Sequence, residues 1–151
     1  MADGPVIDQA IFERARATLG ADFVRVLGYF LEDGEKSVAE IELALREHSA
    51  VRMVTPAHRL KGEARQLGAS AIGNAAFVIE MGARRAVETQ TDPAELLIAV
   101  AKLRPLWAET VEMVERETNP LVQRAPKAGA APVAVGGFGR ALPANQRFGR
   151  L

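Results

Sequence analysis

A chain of 151 residues, 48% of them apolar, is the size of one domain with enough apolar surface for a core. A formal net charge of zero argues against a nucleic-acid partner, and the absence of cysteine excludes disulfides, thiol catalysis and cysteine-based zinc sites. Only two histidines, His48 and His58, are present, which argues against a histidine metal cluster. No apolar run approaches the roughly 20 residues of a membrane span, and the N-terminus lacks the basic and apolar parts of a signal peptide. A soluble cytoplasmic protein with no membrane partner is therefore expected.

The apolar residues recur at helical spacing throughout. Ile7, Ile11 and Ala15 predict a short first helix that Gly20 ends. Phe23, Leu27, Phe30, Val38, Ile41 and Leu45 mark one face of a long second helix, in which Gly34 costs about 1 kcal/mol relative to alanine. His48, just after this helix in REHSA, reads as a cation at the helix C-terminus rather than as a functional group.

A third helix carries Ala57 to Leu67 and stops near Gly68. A fourth runs from about Ser70 to Val87, with Ile72, Ala76, Ile79 and Ala83 inward. The fifth begins with Asp92 as cap, Pro93 in the first turn and Glu95 completing a capping box. Its inner face is Leu96, Val100, Leu103, Trp107, Val111 and Val114, and Pro105 should kink it. No strand-like alternation competes. The expected fold is all-α: an antiparallel four-helix bundle with a short N-terminal helix, over residues 1–117.

The remainder, residues 118–151, differs in kind. It holds five of the 19 basic residues and none of the 19 acids, so the body carries net −5 and the tail net +5. It is rich in Gly, Pro and Ala, and its lack of apolar periodicity predicts a disordered segment. The triplet Phe-Gly-Arg occurs at 138–140 and again at 148–150, either by chance in a biased segment or as a docking motif.

The third helix holds the most informative stretch, AHRLKGEARQLGA. At about 100° per residue, Lys61, Gly62 and Arg65 fall within roughly 60° of His58, while Met53, Ala57, Leu60, Ala64 and Leu67 form the opposite, apolar stripe. His58 thus faces water with cations beside it and a bare glycine one turn on. A neutral imidazole offers a nucleophilic lone pair. The cations suit an attached phosphoryl group, and Gly62 lets another protein approach. No phosphate-binding glycine loop is present. A solvated surface histidine is the plainer reading of the same pattern.

This stretch resembles the signature of the histidine-containing phosphotransfer (HPt) domains of two-component phosphorelays. The family pattern H-x-L-K-G, followed by small residues, an apolar residue, Gly and Ala, reads here as His58, Leu60, Lys61, Gly62, Ala64, Leu67, Gly68 and Ala69. The upstream Phe30-Leu31-Glu32-Asp33 is similar to a second family segment, and the helix order matches from about Ile7 to Glu117.

The resemblance implies that His58 is the phosphoacceptor, that Lys61 neutralises phosphoryl oxygens and that Gly62 gives a receiver domain room to dock. It places Glu80 where the family has a polar residue that orients the imidazole, with Arg84 one turn later; both read equally well as an ordinary surface pair. Arg65, from its place on the stripe, is expected to contact a receiver or the phosphate. The implied role is a stand-alone, monomeric phosphoryl carrier between the receiver of a hybrid histidine kinase and that of a response regulator. It would have no ATP site and no intrinsic cofactor, Mg2+ being held by the receiver. The alternatives are an adaptor that binds receivers without accepting phosphate, and a helical protein that docks through its basic tail.

Two positions depart from the family. Glu63 stands where serine is common, pointing to the flank and available to select partners by charge. Pro56, two residues before His58, either kinks the third helix or starts it with Thr55 as cap, which would put His58 in the first turn.

Overall fold

The computed structural model describes residues 4–119. The expectations for the basic tail and its Phe-Gly-Arg triplets fall on residues 120–151, outside the described residues. Every regular element among those described is helical: α1 (Gln9–Leu19), α2 (Phe23–Arg46), α3 (Ala50–Leu67), α4 (Ser70–Thr89) and α5 (Leu97–Thr118), with 3-10 turns at Gly20–Asp22 and Pro93–Leu96.

Side-chain pairs fix the directions. Arg59 on α3 reaches Ser37 and Glu40 on α2, and Glu63, one turn further along, meets Asp33, one turn further back. His58 pairs with Glu80 while Arg65 lies over Phe77, so α3 and α4 also run oppositely. Arg104 bonds Glu35 and Glu42, and Trp107 bonds Glu35 and packs on Phe30, which sets α5 antiparallel to α2. The four long helices form the expected antiparallel bundle, with α1 short and preceding it.

The apolar stripes meet in one core that includes Phe12, Phe23, Leu27, Phe30, Ile41, Met53, Leu60, Ile72, Ile79, Leu103 and Trp107. Fully burying a leucine or phenylalanine contributes roughly 2 kcal/mol, so these eleven large side chains are the bundle's main cohesion. Gly34 is required by this packing: a Cβ there would sit inside the Trp107 ring. The helix-propensity cost of that glycine is offset by close contact between α2 and α5.

Several local expectations are corrected. Asp8 caps α1 by accepting from the Ile11 amide at 3.2 Å, so Ile7 precedes the helix, and Phe12 is the residue α1 buries. The chain after Asp92 is first a 3-10 turn; Asp92 accepts from the Ala94 amide at 2.8 Å, and among the described residues Glu95 makes no reciprocal capping bond. On α5, Thr110 is buried and Val111 only half-buried. His48 takes a left-handed backbone (φ 58°) beyond the end of α2, and its Nδ1 lies 2.9 Å from Asp92, tying that end to the α4–α5 link.

Candidate functional site

The α3–α4 hairpin builds the site. Ser49 caps α3, its side chain accepting from the Arg52 amide at 3.2 Å. Pro56 is buried inside α3, and the helix runs through it. Thr55 is therefore no cap and His58 lies mid-helix, beyond the reach of the N-terminal dipole. The proline removes the backbone bond that an N–H at this position would have made.

Gly68 ends α3 at φ 84°, a left-handed value that glycine adopts without strain, and its carbonyl accepts from the Asp8 amide at 2.7 Å. Both helices bury small residues, Ala57 and Ala64 on α3 and Gly73, Ala76 and Ala83 on α4, and a Cβ at Gly73 would meet Ala64 across the seam at 3.5 Å. Small residues let the two helices approach closely. That closeness brings a glutamate on α4 within reach of the histidine on α3.

His58 is 61% exposed, and its Nδ1 lies 2.9 Å from Glu80 Oε2. Glu80 is only 1% exposed. Arg84 donates Nε and Nη2 to the same oxygen at 3.0 and 2.7 Å, and Lys61 Nζ stands 2.8 Å from Oε1 as an ion pair. No other group meets Oε1, so the ammonium alone compensates it. Glu80 and Arg84 are thus not an ordinary surface pair, because the carboxylate lies beneath its own partners. Burial works against the charged form, but the bonds from Lys61, Arg84 and His58 outweigh it and hold the Glu80 carboxyl down at about 2.

A charged carboxylate can only accept, so it fixes the proton on Nδ1. His58 Nε2 has no protein partner among the described residues and keeps its lone pair. A Cβ at Gly62 would meet nothing within 4 Å, so the space beside the ring is open.

The remaining cations divide sharply. Arg59 is committed to α2, donating to Ser37 at 3.0 Å and Glu40 at 2.6 Å. Arg65 lies with its guanidinium carbon 5.2 Å from the Phe77 ring centroid, and Lys61 Nζ is 5.7 Å from the same ring. Sequence reasoning passed over Phe77; the available signal was an aromatic ring off the apolar stripe of α4, three residues before Glu80. Glu63 is half-buried, and its pKa is raised by burial and by its bond with, and charge of, Asp33, so it faces a carboxylate on α2. The histidine, lysine, glutamate and Arg84 converge; Gly62 and Arg65 border them; Glu63 lies apart.

A family model described as Hpt domain matches residues 25–117, more than half of the chain. The chain belongs to this family. Its fold is similar to that of histidine-containing phosphotransfer protein B (HptB) from Pseudomonas aeruginosa PAO1, at 20% identity and a TM-score of 0.67 over 82% of this chain and 99% of that one. A search of curated proteins found no match. Among the described residues, no helix of this Hpt domain is long and apolar enough to cross a membrane, and no group of three or more His, Cys, Asp or Glu could hold a metal.

Proposed function

We propose that this protein carries a phosphoryl group on His58 between receiver-domain aspartates, from a hybrid histidine kinase to a response regulator. The observation that supports this most is an exposed imidazole whose Nδ1 is bound to a charged carboxylate while Nε2 is open, in a chain of the Hpt family.

In the transfer, Nε2 attacks the phosphorus of an aspartyl phosphate. The Nε2–P bond forms as the P–O bond to aspartate breaks, and the aspartate leaves as a carboxylate. Nδ1 keeps its proton throughout, so no proton changes hands, and the reverse reaction retraces the same path. The phosphorylated ring is cationic, and Glu80 lies where that charge develops. Lys61 has three N–H donors; one serves Glu80 and the others are available to phosphoryl oxygens. Gly62 leaves room for the receiver's surface. Magnesium is supplied with the receiver's acidic residues, and the chain acts as a carrier with no ATP site of its own.

The test is transfer of labelled phosphate from a charged receiver to the wild-type chain and to a His58→Gln variant. Acid-labile, base-stable label on wild type alone supports the carrier. No label from a panel of receivers that nonetheless bind the protein would replace it with the adaptor.

A further inference from the structure

Three cations on α3 and α4 near the site already hold a carboxylate: Lys61 and Arg84 share Glu80, and Arg59 holds Glu40. Arg65 has no carboxylate partner among the described residues. Its position is nevertheless fixed. Its stem runs over the bare backbone of Gly73, where a Cβ would crowd Arg65 Cγ at 3.2 Å, and its guanidinium lies against Phe77, a ring that is itself 40% exposed. An exposed arginine ordinarily loses much rotamer freedom on binding; one already stacked on a ring between two helices has lost part of it in advance.

Its place on α3 decides what it can bind. Arg65 follows His58 by seven residues, two turns, so its Cα lies roughly 10 Å along the helix from the histidine's. That separation suits an acid on the rim of a docked protein better than a phosphoryl group on Nε2, which has Lys61 one turn away. Resting on the carrier reading above, we propose that Arg65 is a preorganised receptor for an acidic side chain on the docking receiver, and that Phe77 and Gly73 are the cradle that positions it. Arg65 then sets which receivers dock, while His58, Lys61 and Glu80 set how fast phosphate moves.

The experiment uses the full chain and a receiver charged by a small-molecule phosphodonor, following single-turnover transfer against receiver concentration at low and high salt. Arg65→Gln is expected to raise the half-saturating receiver concentration about tenfold at low salt, with the loss falling there rather than in the maximal rate, and to flatten the salt dependence. Arg65→Lys should restore only part, because an ammonium lacks the planar fork. Phe77→Leu should show a smaller rise that Phe77→Tyr reverses. The double variant Arg65→Gln, Phe77→Leu should be no worse than Arg65→Gln alone, since both act through one group.

A fall in maximal rate, or a shorter life of the label on isolated Arg65→Gln protein, would instead place Arg65 on the phosphoryl group and overturn the proposal. An unchanged half-saturating concentration would overturn it while leaving the carrier reading intact. Failure of the wild type itself to take label would remove both.

Discussion

Glu80 and His58, 22 residues apart in the chain, meet across the α3–α4 seam through an Nδ1 to Oε2 contact of 2.9 Å, with the histidine exposed and the glutamate buried. The pair carries the reading of the site, because it leaves one ring nitrogen, Nε2, for chemistry. Glu80→Gln keeps an acceptor oxygen but loses the charge, and its amide can also donate, so the tautomer is no longer fixed. The maximal transfer rate should fall about tenfold, while Glu80→Ala, which strands Lys61 and Arg84 as well, should also lose roughly 2 kcal/mol of stability in urea titrations.

The depressed Glu80 pKa has a consequence for acid stability. The folded value, about 2, lies below the ordinary 4.5, so the carboxylate contributes stability that is fully present above pH 4.5 and is lost as pH falls towards 2. The stability difference between wild type and Glu80→Gln should be greatest at neutral pH and shrink across that window. Urea midpoints at several pH values measure it.

Glu63 has the opposite sign. Its pKa is raised, by burial first and then by Asp33, so its contribution is present below pH 4.5 and lost as pH rises through the folded value. Glu63→Gln should therefore stabilise the protein at pH 7, by about 0.5 kcal/mol, with no gain at pH 3. Thermal melts at the two pH values test this.

Gly62 separates folding from docking. A Cβ there touches nothing within 4 Å, and alanine is the better helix former by about 1 kcal/mol, so Gly62→Ala should raise the melting temperature. The same methyl intrudes on the space beside His58 that a receiver would enter. Transfer from a charged receiver should slow, and Gly62→Gln should slow it further. Stability and transfer thus move in opposite directions.

Gly34 makes the complementary case inside the core. Gly34→Ala drives a methyl into the Trp107 ring, and overpacking of this kind costs roughly 1–3 kcal/mol. Trp107 is the only tryptophan, so its fluorescence reports the displacement directly.

The bundle was legible because its signals are periodic and local: the stripe from Phe23 to Leu45 and that from Leu96 to Val114 each fall on one buried face, except that Leu45 and Val111 are only half-buried. The motif from His58 to Ala69 carried the family. What escaped the sequence depends on distance across the fold. The requirement for glycine at 34 comes from a tryptophan 73 residues later, and the bareness of Gly73 is filled by Arg65. Glu80 could be placed on the correct helix, but its burial beneath Lys61, Arg84 and His58 follows from how closely the small-residue faces of α3 and α4 pack. The sequence leaves the start of α3 open, because Pro56 fits a first turn as well as a helix interior; the structure has Ser49 as the cap and Pro56 inside the helix. Phe77 was overlooked because its partners are cations on another helix.

The most direct measurement is nitrogen and phosphorus NMR of the 15N-histidine-labelled protein after transfer from a charged receiver. Phosphorus coupled to Nε2 of His58, with Nδ1 still protonated and broadened or shifted in Glu80→Gln, is the predicted result. Phosphorus on Nδ1 would contradict the geometry, and a receiver bound with no phosphohistidine formed would contradict the carrier itself.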